Sequence, residues 1–165
     1  MCSRCMWGDP CGFGSRCTTR KHIRNEVDTR DWQWLYTGKT PQVTKETGAK
    51  PWKKELNVAN LLAKQGFNIE FIKEAKDKKT FDAYLNGLSY EFKVPEKYGE
   101  KTVKNQFKKA VGKGTESMVI SNVRNGASAD AMIRDIEEIM RSDDFTEITN
   151  VLFVGIDGEL IRFRR

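Results

Sequence analysis

The Asn86-Gly87 dipeptide constrains the fold of this chain more than any other feature, because it lies between two runs of alternating apolar and polar residues. Both central residues of a type I′ turn need positive φ angles, and asparagine followed by glycine adopts them readily. The sequence therefore predicts a β-hairpin over residues 80–94, in which Leu85 lies opposite Leu88.

The predicted register places successive side chains on opposite faces of the hairpin. One face carries Asp82 directly opposite Glu91, and Lys93 follows on the same face. Like charges opposite each other destabilise a sheet, and a divalent cation between two hard oxygen ligands is the simplest compensation. We therefore predict a metal site at Asp82 and Glu91. The other face is expected to join the core and carries Phe81, Ala83, Leu85, Leu88, Tyr90, Phe92 and Val94.

The rest of the main domain alternates between helical and strand patterns. A proline favoured at the first helical position and a terminating glycine bound the first helix, and an Asp-Gly pair marks a second hairpin. The expected elements are a helix over 51–66, a strand over 68–72, the first hairpin, a helix over 100–112, a strand over 118–120, an amphipathic packing helix over 129–140, and a hairpin over 151–163 turning at Asp157-Gly158. This order predicts an α/β fold with a mixed central sheet flanked by helices.

Glu55 falls inside the apolar stripe of the first predicted helix when residues are placed at about 100° intervals. A carboxylate there is costly to bury unless it is paired or bound to metal, so we predict that Glu55 joins the acidic pair. The alternative is an edge position from which the carboxylate reaches water. The stripe consists of Trp52, Leu56, Ala59, Leu62 and Ala63.

Lysines recur along one side of the second predicted helix, where Lys101, Lys104 and Lys108 form a stripe with Lys109 and Lys113 near it. Such a stripe is commonly a solvated face, but beside a carboxylate site it can follow a phosphate backbone. We predict substrate binding by Lys101, Lys104, Lys108 and Lys109.

The charge balance favours an anionic partner, because 29 Lys and Arg residues against 23 Asp and Glu residues give a net charge of +6. Nucleic acid is the first candidate, although a merely basic soluble protein has the same balance. No apolar run approaches the ~18 residues of a membrane span, and the first twenty residues contain no apolar h-region. We therefore expect neither a membrane span nor an ordinary signal peptide.

Residues 1–48 differ from the main domain at 49–165, because they contain all four cysteines and no sustained periodicity. A structural zinc site with four thiolates, or with three and His22, is one interpretation. Two disulfides or a reduced tail are the alternatives. The cysteines are Cys2, Cys5, Cys11 and Cys17, and the aromatic residues Trp32, Trp34 and Tyr36 are expected to dock on the main domain.

The main domain resembles the PD-(D/E)XK nuclease superfamily. Asp82 followed by Glu91-x-Lys93 is similar to its signature, with Phe81 in place of a proline, and the predicted order is similar to its αβββαβ core. The resemblance implies a metal-dependent endonuclease in which Asp82, Glu91 and the Phe92 carbonyl bind Mg²⁺, Mn²⁺ or Zn²⁺. It also implies that Lys93 positions the attacking water. The remaining positions that match the superfamily's site are Glu55 and Gln106.

More narrowly, residues 50–165 are similar to the C-terminal toxin domain of CdiA proteins from contact-dependent growth inhibition systems. The shared features are a helix ending in Gly66-Phe67, the Lys79-x-x-Asp82 approach, the Asn86-Gly87 turn and the Tyr90–Lys93 run. This resemblance implies a toxin that cleaves tRNA, that is delivered into the cytoplasm of a target cell and that a cognate immunity protein neutralises. The cysteine segment lies outside the resemblance.

Three other functions are compatible with the sequence. A DNA endonuclease of a mobile element, of restriction or resolvase type, would need the same site and differ only in substrate. A non-catalytic nucleic-acid-binding module would keep the fold, although the joint presence of Asp82, Glu91 and Lys93 argues for catalysis. A zinc-anchored interaction protein would act through residues 1–48 instead.

Overall fold

The computed structural model describes residues 24–26, 41–76 and 79–165, the first of these as backbone only. These residues form one eight-stranded sheet and three helices. The elements are β1 (Arg24–Glu26), β2 (Val43–Lys45), α1 (Lys53–Lys64), β3 (Ile69–Phe71), β4 (Ala83–Leu85), β5 (Leu88–Lys93), α2 (Thr102–Lys113), β6 (Ser117–Ser121), α3 (Ala129–Arg141), β7 (Asn150–Val154) and β8 (Leu160–Arg164). From α1 onward, this is the predicted order of helices and strands.

The sheet is mixed, with strand order β1-β8-β7-β6-β5-β4-β3-β2. β5, β6 and β7 run parallel, and α2 and α3 make the two crossovers between them. The two predicted hairpins, β4–β5 and β7–β8, pair antiparallel. An α/β fold with a mixed sheet is therefore confirmed, whereas membership of the PD-(D/E)XK superfamily stays a prediction.

Alternate residues of the central strands pack on opposite faces of the sheet. On β6, Met118 and Ile120 join a core with α2 and α3, whereas Val119 joins a core with α1. Phe92 belongs to the α1 core, so the neighbouring positions 91 and 93 on β5 face the α2 side. This alternation assigns the charged residues of the first hairpin to one face.

The Asn86-Gly87 turn has the predicted geometry, with φ angles of 47° and 86°. The register is also confirmed from Leu85 opposite Leu88 to Ala83 opposite Tyr90. The core assignment was wrong at both ends of the apolar face. Leu88 is 48% exposed beside the turn. Phe81 is half-buried because the strand bends at position 82.

The first helix begins one residue later than the apolar stripe requires. Trp52 is its N-cap, with extended backbone, and its side chain is 71% exposed, so its assignment to the buried stripe was wrong. Helical spacing places a residue on a face only inside the helix, and a cap lies outside that geometry. Val58, Ala59 and Leu62 form the buried side of α1.

Two strands were not predicted. β2 pairs parallel with β3, and β1 pairs antiparallel with β8. Each has three residues, too few for an alternating pattern to stand out. β2 lies before the predicted boundary between residues 48 and 49, so the sheet extends into the predicted N-terminal segment. The division into two domains stays a prediction.

The cysteines, His22, Trp32, Trp34 and Tyr36 lie outside the described residues. The structural zinc site at Cys2, Cys5, Cys11 and Cys17 therefore stays a prediction, as do the alternatives to it. Within 24–26, 41–76 and 79–165, none of the helices has the length and apolar character needed to cross a membrane.

The third helix and the second hairpin also lie where the sequence predicts them. Ser128 caps α3 by accepting a hydrogen bond from the Ala131 N–H at 3.2 Å. The second hairpin closes through residues 155–159 rather than through a two-residue turn, because Val154 pairs with Leu160. Gly158 nevertheless has the positive φ, 81°, that the Asp-Gly pair indicated.

Candidate active site

Asp82 lies at the bend where the regular β4–β5 pairing stops. Its N–H donates to the Tyr90 carbonyl at 3.2 Å, and its own carbonyl accepts from the Ile72 N–H at 3.1 Å. Its carboxylate oxygen Oδ2 accepts from the Phe92 N–H at 2.7 Å, in the place of a ladder carbonyl. These bonds fix the carboxylate against β5, beside Glu91, instead of leaving it in a simple cross-strand pair.

Glu91 is the most deeply buried acid of the site, with 1% of its surface exposed. Its Oε1 accepts a hydrogen bond from the Lys93 ammonium, whose side chain is 13% exposed. When both carboxyl groups are ionised, its buried Oε2 accepts no hydrogen bond from the described residues. The neighbouring Asp82 carboxyl can bond Glu91 only when one of the two groups holds a proton. Buried carboxylate oxygens normally have partners, so this atom marks a place where a proton or a cation belongs.

The two carboxyl groups disturb each other's ionisation. Burial, and then the charge of Asp82, raise the pKa of Glu91 to about 7, although Lys93 lowers it. Burial also raises the pKa of Asp82. Four weaker effects lower this pKa: the hydrogen bond from the Phe92 N–H, the charges of Lys93 and Lys113, and a hydrogen bond with Glu91. Without a bound cation, the pair therefore holds a proton near neutral pH.

The donor set fits a hard divalent cation. Asp82 and Glu91 supply two carboxylates, and the Phe92 carbonyl faces the same edge of β5 as its N–H, which bonds Asp82. Mg²⁺ typically takes one or two carboxylates and fills its other positions with water and substrate phosphate. Among the residues that the structure describes, no three His, Cys, Asp or Glu residues cluster, which makes a fully protein-ligated zinc site a poor fit.

Glu55 lies in the first turn of α1 and makes two interactions that bear on its predicted role as a metal ligand. Its Oε2 accepts a hydrogen bond from the Trp52 N–H at 2.9 Å, which is a capping contact. Burial raises its pKa, the bond from Trp52 opposes the rise, and the charge of Asp82 adds to it. Glu55 thus caps the helix and also interacts electrostatically with Asp82. Neither contact tests whether Glu55 binds metal, so that role stays a prediction.

Lys93 borders a cavity of about 900 Å³ between the N-terminal turn of α1, the end of β5 and the exposed side of α2. Lys109 and Lys93 also border a second hollow of about 680 Å³. Lysines outnumber acids in both linings, so both attract anions. The first cavity is lined by Trp52, Lys54, Glu55, Phe92–Lys97, Thr102, Asn105, Gln106, Lys108 and Lys109, and the second by Glu74–Lys76, Lys79, Lys93, Lys109, Gly112 and Lys113.

The predicted lysine stripe divides into two groups. Lys108, Lys109 and Gln106 line the first cavity. Lys104 instead pairs with Asp144 at 2.8 Å and lies 6.0 Å from the centre of the Phe145 ring. Lys101, the exposed N-cap of α2, lines neither cavity. The structure therefore separates Lys101 and Lys104 from both cavities.

Sequence reasoning missed three features of this region. Lys113, placed only near the stripe, bonds Glu74 at 3.3 Å. Burial lowers the pKa of Lys113, but the bond to Glu74 and the charges of Glu91 and Asp82 outweigh it, so the net pKa is raised. Lys97 lines the first cavity without a sequence signal beyond its charge, and Lys79, which the sequence singled out only by its spacing from Asp82, lines the second. The exposure of Trp52 could have been predicted, because this residue precedes the first helical position and so does not follow the helical spacing.

The fold and the site together define an α/β domain in which a buried acidic pair and a lysine on the sheet lie beside a basic cavity. The family model described as "Contact-dependent growth inhibition CdiA C-terminal domain" matches residues 78–160. This match spans half of the chain and includes Asp82, Glu91 and Lys93. The chain belongs to this family, as the resemblance predicted.

A solved structure gives an independent comparison of the fold. The chain is similar to one in the "CdiA-CT/CdiI toxin and immunity complex from Burkholderia pseudomallei", with a TM-score of 0.55 and 14% sequence identity. The similarity covers 75% of this chain and 100% of that chain. No curated protein matches the sequence.

Proposed function

We propose that this domain is a metal-dependent endonuclease toxin that cleaves RNA, with tRNA as the preferred substrate. The observation that carries the proposal is the buried Oε2 of Glu91, which has no N–H or ammonium donor among the described residues and lies beside the Asp82 carboxyl. Lys93, which bonds the other oxygen of Glu91, lines the basic cavity. A structural ion pair does not need a second carboxylate beside it, whereas two carboxylates can hold the divalent cation of a metal-dependent phosphodiesterase.

Asp82 and Glu91, with the Phe92 carbonyl, would hold a divalent cation such as Mg²⁺ or Mn²⁺, which supplies Lewis-acid polarisation of a phosphate oxygen. The Lys93 ammonium stabilises negative charge that develops on the phosphate and orients a water through its N–H groups. Burial of the pair strengthens both effects, because water screens little there. Lys108 and Lys109 hold the substrate backbone by charge.

Family membership supports the toxin role and the setting. C-terminal toxin domains of this family are delivered into target cells, and we propose that this one acts in the cytoplasm of a competing bacterial cell. The similar Burkholderia pseudomallei chain was solved as a toxin and immunity complex. We therefore propose that a cognate immunity protein binds this domain and inhibits it.

A substrate panel tests the activity. Purified protein is incubated with total tRNA and with plasmid DNA, each with Mg²⁺, Mn²⁺, Zn²⁺ or EDTA, and the products are separated on denaturing gels. We expect cleavage of tRNA with Mg²⁺ or Mn²⁺ and none with EDTA. Cleavage of DNA alone would favour a DNA endonuclease. If neither substrate is cleaved with any metal, the result would favour a non-catalytic nucleic-acid-binding module.

The division of the lysine stripe gives a prediction about binding. Lys108→Gln and Lys109→Gln should each weaken RNA affinity and reduce the slope of log K against log salt by about 0.7–0.9, because each removes one phosphate contact. Lys104→Gln, in the same helix but bound to Asp144, should leave the slope unchanged. Fluorescence anisotropy with labelled RNA at several salt concentrations measures this. Equal losses for all three variants would show that the slope reports net charge and not position.

A further inference from the structure

Trp52 has the most exposed large apolar side chain among the described residues, at 71%. Burying an indole contributes a large hydrophobic free energy, so an exposed one forgoes stability. Its main chain is nevertheless well held. The N–H donates to Glu55 Oε2 at 2.9 Å, and the carbonyl accepts from the N–H groups of Glu55 and Leu56 at 2.9 and 3.0 Å. An exposed aromatic side chain on a hydrogen-bonded backbone is available to contact another molecule.

The surroundings of Trp52 identify the chemistry of that molecule. Trp52 borders the same cavity as Lys93, and its main-chain N–H bonds Glu55, whose carboxyl group interacts electrostatically with Asp82. The cavity lining contains five lysines and two glutamates, and one of those glutamates, Glu96, lies 3.9 Å from Lys54 and 3.8 Å from Arg124. The ligand is therefore anionic over the cavity and has a flat apolar part at its rim. A nucleotide with its phosphate inside and its base outside has this distribution.

We propose that Trp52 stacks on an unpaired base of the nucleic-acid substrate and thereby selects single-stranded segments. The phosphate next to the stacked nucleotide then lies over the cavity, towards Lys93. This inference rests on the proposed nuclease function for its substrate. A base inside a duplex has both faces covered by its neighbours, so only loops, bulges and ends can present a free face to the indole.

The test measures binding separately from cleavage, in an Asp82→Asn background. The probe is a 5′-fluorescein, 12-nucleotide single-stranded RNA, together with versions that carry one abasic site at each position and with a fully paired duplex of the same sequence. The variants compared are Trp52→Ala, Trp52→Phe and Ile156→Ala. Ile156 is the matched control, because it is also exposed, at 57%, and lies in the β7–β8 turn outside both cavities.

Trp52→Ala should weaken single-strand affinity by about 5- to 150-fold, the factor expected for one stacked base. It should leave duplex affinity unchanged. Trp52→Phe should keep most of the affinity because it keeps a π face, and Ile156→Ala should match the parent. One abasic position should weaken binding to the parent but not to Trp52→Ala, which would identify the stacked nucleotide.

The outcomes separate this inference from the proposed function. Single-strand affinity that does not change in Trp52→Ala, or that falls equally for duplex and single strand, overturns the stacking role even if the wild-type protein cleaves tRNA. Trp52-dependent binding of single-stranded RNA by a protein that cuts no substrate supports the stacking role and refutes the nuclease proposal. Absence of any RNA binding overturns both.

Discussion

Asp82→Asn, Glu91→Gln and Lys93→Met should each reduce tRNA cleavage by about 10²- to 10³-fold, the loss expected when one charge-stabilising group is removed from a preorganised site. The three groups act together on one phosphate, so a double variant should lose little more than a single one. Initial rates with end-labelled tRNA measure the loss. A variant of Asp82 or Lys93 that cleaves tRNA at the parent rate would refute the site assignment.

Loss of activity must be separated from loss of folding, because Glu91 and Lys93 form a buried pair. Above pH 7, where Glu91 is ionised, removing only Lys93 leaves a buried carboxylate without its counter-charge, and breaking such a pair costs about 3–5 kcal/mol of stability. The double variant Glu91→Gln/Lys93→Met removes both charges and should recover most of that stability without recovering activity. Urea denaturation of the single and double variants makes this comparison.

The sequence predicts best where structure follows from neighbours in the chain. The Asn86-Gly87 turn and the alternation around it are local, and they placed Ala83 opposite Tyr90 correctly. The same rules could not show that Asp82 leaves the ladder and bonds the Phe92 N–H with its side chain. The acidic pair is therefore adjacent for a reason different from the predicted one, although the same two residues form it.

Contacts between distant segments were not visible in the periodic pattern. Helical spacing places Lys104 and Lys108 on one side of α2, but it cannot show that Asp144, forty residues further on, binds only Lys104. Likewise, an alternating strand shows that Glu91 shares a face with Lys93, but not that α2 covers that face. The depth of Glu91, and hence its raised pKa, follows from packing that only the fold reveals.

Glu91→Gln should stabilise the metal-free protein at high pH. Glu91 has a pKa of about 7 in the folded state and an ordinary value of 4.5, so the folded protein binds more protons than the unfolded chain between those two values. The free energy of unfolding therefore falls as the pH rises from 4.5 to about 7, and the penalty stays constant above 7. The shift corresponds to about 3 kcal/mol. The neutral glutamine avoids this penalty.

The measurement is the difference in free energy of unfolding between Glu91→Gln and the parent, from urea denaturation in EDTA at pH 4 to 8.5. The difference should be near zero at pH 4, should grow through pH 4.5–7 and should then level off, since the groups that do not interact with Glu91 titrate alike in both proteins. Saturating Mg²⁺ should stabilise the parent, more at pH 8 than at pH 6, because a proton and the cation compete for the same oxygens. A flat difference would show that Glu91 is not protonated in the fold. Equal stabilisation of both proteins by Mg²⁺ would place the cation elsewhere, because only the parent has the Glu91 carboxylate, whose buried Oε2 lacks an N–H or ammonium donor among the described residues.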